Sequence, residues 1–497
     1  MPCVQAAGLS VNYSWASLAS GICPINFMVI HMSTDQGRAS SWGGHSRIGE
    51  TLDGLGWRPV HTRITLALGI GWMLDAFEVN IIGNVLGVLK HLWHVTSGQA
   101  SLLVSVWLIG LMIGASVFGY FADRYGRRKL FVATLLLYSG FTLVSAASPG
   151  YYWFLAFRFL TAIGVGAEYS AVNAAIGELI PARCRGRVNA AVMNFWPLGA
   201  ILAGLITLYF IHLLPPSVGW RLAFGFGAVM ALFVLWARRV LPESPRWLAQ
   251  NGRQAEARAI SQHIAVDRSG FDQYGTTFET RTAPDGFLSH VSTLVRHYPG
   301  RLALGCALDF FEASGYYGLF ALLPLVVLPA LQLPDADTPW FFIIGNLGAL
   351  VGGLLAAFGL DRLGRKTTVI GFYSLAALSM LTMGVATVQG SAVGVLAAFT
   401  LANLCATGSW VGAYPTFAEI FPTGLRASGI GFSVAVGRIG AAIAPPVLVA
   451  VAAQTSVIVA FAVLAVFYTL GAASMVPWAI RGLEGRGRPL EWLAPEN

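Results

Sequence analysis

Charge is scarce in this chain. Of its 497 residues 11% are Asp, Glu, Lys or Arg, against about 25% in an ordinary soluble domain. Too few charged side chains are present to cover a water-facing surface of that length, which excludes a large soluble enzyme with one buried core. Cysteine is sparse as well. Cys3, Cys23, Cys184, Cys306 and Cys405 are scattered, with no CxxC pair, so neither a disulfide scaffold nor a zinc or redox motif is expected. HExxH, Walker and Ser-His-Asp patterns are all missing, and with them the usual signatures of metal, nucleotide or acyl-transfer chemistry. No enzyme activity, metal or cofactor is expected.

What the chain has in excess is apolar length. Hydrophobic residues make up 56%, in runs of about 20 that match a bilayer core of roughly 30 Å. Such runs fall near 63–90, 100–122, 129–148, 150–177, 188–212 and 219–241, and again near 299–329, 339–360, 367–387, 391–419, 427–452 and 455–479. The expected fold class is an all-α membrane protein, with twelve transmembrane helices in two pseudo-symmetric six-helix bundles. Its parts would be a cytoplasmic segment 1–62, a first bundle 63–241, a cytoplasmic linker 242–298, a second bundle 299–479 and a cytoplasmic tail 480–497. Residues 1–31 carry no charged leader and no run long enough to span. Translation is expected to start at Met28 or Met32, and peptides from residues 1–27 in the native protein would refute this.

The net charge of +8 sits in loops between apolar runs, which points to a membrane surface and not to nucleic acid. Arg124, Arg127, Arg128 and Lys129 follow span 2; Arg183, Arg185 and Arg187 follow span 4; Arg362, Arg365 and Lys366 follow span 8. The opposite loops, "LLPPSVG", "LQLPDADTP" and "TVQGS", hold no Lys or Arg. By the positive-inside rule both termini and the linker are cytoplasmic, and the plasma membrane is the expected location.

The two halves repeat. Asp75 to Asp309 is 234 residues, Asp123 to Asp361 is 238, and Glu178 to Glu419 is 241, an offset that Pro181/Pro422 and Arg185/Arg426 keep. Two bundles of like topology suit a cavity between them near the membrane midplane.

"GYFADRYGRRK", Gly119 to Lys129, resembles at every fixed position the loop motif of the major facilitator superfamily. "FGLDRLGRK" repeats its core, and "PESPRWL" resembles the motif that follows span 6 in that family. The resemblance covers about residues 60 to 480 and implies two bundles that rock about a central site. It implies that Asp123 with Arg127 latches the cytoplasmic ends, supported by Gly119, Arg124, Gly126 and Arg128. Asp361, Arg362, Gly364 and Arg365 form the second copy, and Glu178 with Arg185 and Glu419 with Arg426 are further candidate latches. Physically, Gly119 permits close helix contact and Gly126 a tight turn. The competing reading is a plain basic loop.

Charge also stands inside the spans, where an Asp, Lys or Arg costs about 2.5–3.5 kcal/mol on insertion scales. Asp75 and Glu78 in "LDAFE" of span 1, and Asp309 and Glu312 in "LDFFE" of span 7, are each three apart. Residues so spaced share a helix face, so each pair is expected to point into one cavity. A carboxyl withdrawn from water holds its proton more readily, the property a proton carrier needs. The alternative is that Glu78 or Glu312 is solvated near the outer interface. Span 4 adds Arg158 and Glu168, whose counterparts at the 241 offset are Phe399 and Ser409; Arg158 is expected to hold a carboxylate or a substrate anion, or to form a structural ion pair. Tyr169, Trp196, Phe311, Tyr316, Tyr317, Trp410 and Tyr414 are the candidate cavity walls, against the bland reading of packed rings.

Within the superfamily, "DAFE" is similar to the Asp-Gly-Phe-Asp element of the aromatic-acid/proton symporters, with Ala76 and Glu78 as departures. "RIGETLDGLGWRPVHTRI" looks like their lead-in, and "GYYGLFALLP" resembles the metabolite/proton symporter group. The sugar branch carries a Gln-Gln pair in span 7, where this chain has "DFFEASGYYG". The resemblance therefore implies proton-coupled symport of a small organic acid into the cell, acting as a monomer, with the proton gradient as driving force. Sugar, phosphate and organic cation stand as alternative cargoes, and a non-transporting membrane sensor as the alternative of another class.

Overall fold

The computed structural model describes residues 56–482 apart from 126, 182–183, 238–240, 246–247, 249–251, 266–286 and 422–424. The alternative start at Met28 or Met32 lies outside the described residues. So do Gly126 and the side chains of Gly119, Asp123, Arg124, Arg127, Arg128, Tyr169, Glu178, Arg185, Asp361, Glu419 and Arg426.

Among the described residues twelve long helices carry the fold. In the first half these are α1 (Pro59–Leu92), α2 (Ser97–Tyr125), α3 (Arg127–Ala146), α4 (Tyr151–Leu179), α5 (Phe195–Leu213) and α6 (Pro216–Ala237). In the second half they are α7 (Pro299–Leu322), α8 (Thr338–Arg362), α9 (Arg365–Val388), α10 (Ala392–Ile420), α11 (Arg426–Gln454) and α12 (Val457–Arg481). A short helix, Arg185–Met193, leads into α5. Two helices, Gln254–Ala265 and Phe287–His297, lie in the linker. Among the described residues ten helical segments are long and apolar enough to cross a bilayer. The remaining two are α4, with 29 residues, and α6, with 22; at 1.5 Å per residue even α6 is about 33 Å long, enough for the hydrocarbon core.

Helix starts follow local chemistry. Pro59 and Pro299 each occupy the first turn, where a missing N–H costs nothing. The Arg58 N–H donates to His61 Nδ1 at 3.0 Å. α1 therefore begins a few residues before the expected boundary at 63, because its first turn stays helical outside the apolar window. Gly364, at the start of α9, has φ 85°, a left-handed value that suits glycine and strains other residues. α7 is interrupted at Pro324, where residues Leu323–Val327 form a π turn because proline offers no N–H to the regular ladder.

Packing repeats as the offsets predict. α1 packs on α5 as α7 packs on α11; α2 on α4 as α8 on α10; α3 on α6 as α9 on α12. The seam between halves is itself reciprocal, α2 against α11 and α5 against α8. Glycine makes the second pairing possible in both halves. A Cβ at Gly114 would run into the Ile163 carbonyl, and one at Gly352, 238 residues on, into the Leu404 carbonyl. Backbones that close need small residues. Gly352→Val is expected to cost about 1–3 kcal/mol of stability, the range for overpacking, and a thermal melt in detergent checks it.

Candidate functional site

The acidic pair of α1 is turned into the first bundle. Glu78 is 1% exposed and Arg158 of α4 0%. Arg158 Nη1 donates to Glu78 Oε2 at 2.9 Å, and Nη2 donates to the Glu78 carbonyl at 2.7 Å. Thr142 of α3 adds a hydroxyl bond to the same carboxylate at 3.1 Å. The guanidinium lies 4.0 Å from the Trp107 ring centroid of α2 and 5.0 Å from that of Phe224 on α6. Gly227 of α6 leaves room for Glu78 Oε1, since a Cβ there would lie 2.7 Å from it. Five helices thus enclose one ion pair. Glu78 is not solvated at an outer interface, and Arg158 is engaged by a carboxylate of its own bundle. Asp75 and Glu168 are both fully buried.

In the second bundle the corresponding acids stand closer to the seam. Asp309 and Glu312 on α7 are 3% and 7% exposed, and Arg438 on α11 is 6%. The three lie within electrostatic reach of one another. Asp309 rests against Gly437, which lets the carboxylate approach the α11 backbone beside Arg438. The Arg438 guanidinium also sits 5.8 Å from the Tyr317 ring centroid. Sequence reading passed over Arg438, although an arginine in "VAVGRIGAAIAPP" carries an insertion cost like that of Asp75, Asp309 and Arg158, which it did single out.

Aromatic rings cross the seam. Trp72 of α1, Trp196 of α5 and Trp410 of α10 follow one another at centroid distances of 6.0 and 5.7 Å, and Tyr414 continues the row at 5.7 Å. Tyr316 of α7 lies beside Trp196 of α5, joining the halves again. Trp196, Trp410, Tyr414 and Tyr316 stand together, and Trp72, three residues before Asp75 in "GWMLD", completes the row; of the candidate cavity walls whose side chains are described, only Tyr316 lines the adjoining cavity. Tyr317 turns to Arg438. Phe311 faces Phe467 of α12, 6.3 Å away, and belongs to the packing of the second bundle.

Beside this row lies a small cavity of about 10 Å3, lined by Asn80 of α1, Tyr316 and Phe320 of α7, Phe342 and Asn346 of α8, and Phe399 and Asn403 of α10, with Leu319, room for about one water. Ligand sites typically hold about 300–1,000 Å3, so the space here is contracted. It draws on both halves, and one end is shut. Phe320 fills the space a Cβ at Gly83 of α1 would need, and His91 Nε2 stands 3.3 Å from Asp335 Oδ2 in the turn before α8. Asn80 lies two residues beyond Glu78, about 200° round the helix, which is why the cavity face of α1 is not its acidic face. The charges of Asp309, Glu312 and Arg438 all reach Tyr414 in the aromatic row, and Glu312 lies one turn from Tyr316. Among the described residues no group of three His, Cys, Asp or Glu is placed to hold a metal.

The described cations of the second loop copy serve helix ends. Arg365 donates to the Leu360 carbonyl at 3.2 Å. Lys366 bonds the Ala479 and Gly482 carbonyls at the end of α12, and Arg362 lies over the Phe358 ring.

The family described as "Sugar (and other) transporter" matches residues 62–491. The niacin transporter NiaP of Acinetobacter baylyi is 32% identical over 389 residues, covering 78% of this chain and 86% of that protein. The inner membrane metabolite transport protein YgcS of Escherichia coli is 29% identical over 436 residues, covering 86% of this chain and 93% of that protein. Among solved structures, the major facilitator superfamily proton:xylose symporter XylE of E. coli aligns with a TM-score of 0.68 at 22% identity, over 87% of this chain and 98% of XylE.

Proposed function

The chain belongs to the sugar (and other) transporter family of the major facilitator superfamily, and from that premise we propose that it carries a small ring-bearing organic acid into the cell by proton-coupled symport. It is a multi-pass membrane transporter, and its relatives and fold are those of transporters, not enzymes. The observation that carries the cargo reading is the row Trp72–Trp196–Trp410–Tyr414, which joins the two halves beside the cavity. A flat ring between such walls gains about 0.5–1.5 kcal/mol per aromatic contact beyond its buried area. The niacin of the Acinetobacter relative belongs to this chemical class.

Coupling rests on the acids of α7. Asp309 and Glu312 lie next to the aromatic wall with Arg438 as the nearby cation. A proton taken up there changes the charge that the cargo meets and the attraction between α7 and α11. The site then closes on the loaded cargo as the bundles rock, and releases both on the other face. The Glu78–Arg158 pair keeps the first bundle rigid as the moving body. No cofactor takes part; the proton gradient drives the cycle. The transporter works as a monomer in the plasma membrane, its Arg-rich loops and both termini cytoplasmic by the positive-inside rule. The His91–Asp335 end then faces outward.

An organic cation is the competing cargo, favoured by the two carboxylates whose charges reach Tyr414. Uptake of a labelled aromatic acid into proteoliposomes, challenged with amines, sugars and phosphate, separates them. Competition by amines alone contradicts an acid cargo, and absence of all uptake contradicts transport. Trp410→Ala is expected to weaken apparent affinity roughly two- to tenfold, the equivalent of one lost ring contact, measured as the half-saturating concentration of uptake.

A further inference from the structure

The cavity's polar lining is made of asparagines in one orientation. Asn80 Nδ2 donates to the Ala76 carbonyl at 2.8 Å, Asn346 Nδ2 to the Phe342 carbonyl at 2.8 Å, and Asn403 Nδ2 to the Phe399 carbonyl at 3.1 Å. Each is a bond to the carbonyl four residues back in its own helix. A carbonyl can only accept, so the amide nitrogen must face it, and the assignment of oxygen and nitrogen is settled by chemistry. The oxygen is then what each side chain presents away from its helix. Asn80 Oδ1 and Asn346 Oδ1 are buried, and among the described residues nothing donates to either. Asn84, one turn along α1, repeats the arrangement: Nδ2 bonds the Asn80 carbonyl at 2.9 Å and Oδ1 has no donor. These residues are 1%, 1%, 2% and 4% exposed for Asn80, Asn84, Asn346 and Asn403.

Buried acceptors without donors are costly, about 1–3 kcal/mol each, and they are seldom left so in folded proteins. Here they come from both halves, Asn80 of α1 on one side and Asn346 of α8 on the other, around one space whose remaining lining is largely aromatic. An anionic oxygen placed there would meet more acceptors. An N–H or O–H would satisfy them.

From this geometry we infer that the asparagine end of the cavity is a subsite for a neutral hydrogen-bond donor on the cargo's ring: a hydroxyl, a carboxamide or a ring N–H. This rests on the ring-cargo reading above and adds to it the polarity of a second group. A bare ring or a second carboxylate is disfavoured at this end. Because Asn80 and Asn346 belong to different halves, a cargo donor shared between them also ties the halves together when the site is filled.

The test is ligand-induced thermal stabilisation of the detergent-solubilised full chain by four probes: benzoate, 4-hydroxybenzoate, 4-carbamoylbenzoate and terephthalate. The two donor-bearing probes are expected to bind at least about tenfold more tightly than benzoate and terephthalate, since sites built to bond an N–H or O–H reject analogues without one. In Asn80→Leu and Asn346→Leu the difference between donor and non-donor probes is expected to vanish while the ring's own stabilisation remains. Benzoate or terephthalate stabilising the wild type as well as 4-hydroxybenzoate overturns the inference and leaves the ring-cargo reading intact. Donor preference that survives in a folded Asn80→Leu or Asn346→Leu protein also overturns it. No stabilisation by any of the four probes overturns the ring-cargo reading and this subsite together. The wild-type comparison decides the matter even where a variant fails to fold.

Discussion

Arg158→Met is expected to destabilise the protein by about 3–5 kcal/mol, the cost of leaving one member of a buried ion pair without its partner. The size follows from the enclosure. Glu78 and Arg158 are 1% and 0% exposed, so no water can replace the lost guanidinium at the carboxylate. Thr142 supplies one hydrogen bond to Oε2, too little for an anion that has lost its charged partner, while the Glu78 carbonyl loses its Arg158 donor as well. The double variant Glu78→Gln/Arg158→Met is expected to recover most of the loss, because a neutral amide beside an apolar chain leaves no buried charge. Thermal midpoints of the single and double variants in detergent check both statements. If the single variant melts as the wild type does, the pair is not the structural fastener described here. The same two proteins report on coupling: a refolded double variant that still accumulates cargo against its gradient places proton carriage outside this pair, as the second-bundle assignment requires.

Glu312→Gln has the second large effect. It is expected to abolish accumulation of cargo above its own gradient while cargo exchange across the membrane continues. Glutamine keeps the side chain's shape and removes only the titrating proton, so folding and the aromatic wall are retained. Asp309→Asn is expected to act in the same direction, since both acids lie beside Arg438. Measuring uptake with and without an imposed pH gradient, alongside exchange at equal pH, separates coupling from binding. Loss of exchange as well would make Glu312 a cargo contact. Unchanged accumulation would remove it from the mechanism.

Much of this architecture could be read from hydropathy and charge alone. Apolar runs of helix length and loops rich in Arg are physical requirements of a bilayer, and the repeat offsets from 234 to 241 reappear as matched helix pairs such as α1 with α5 and α7 with α11. Trp196, Tyr316, Trp410 and Tyr414 were also legible, as large rings on helices that had to meet. The direction of the acidic pairs was not. "LDAFE" and "LDFFE" share a spacing, yet Glu78 is claimed by Arg158 within its bundle, while Glu312 lies one turn from Tyr316 at the seam. The difference lies in the partner residue: the Arg158 counterpart in the second half is Phe399, and the compensating cation comes instead from α11 as Arg438. The asparagines were invisible for another reason. Asn80, Asn346 and Asn403 are neutral and lie far apart in apolar runs, and only the helix geometry shows that they converge.

The proposition beneath all of this is that hydrogen ions move with the cargo through the second-bundle acids. Proteoliposomes bearing the wild-type chain, weakly buffered and without an imposed gradient, should turn the external medium alkaline when an aromatic acid is added outside. The Glu312→Gln protein should carry the cargo with no such change. Cargo entry into wild-type vesicles at constant external pH would contradict proton coupling, and an undiminished alkaline shift with Glu312→Gln and Asp309→Asn would contradict its placement on α7.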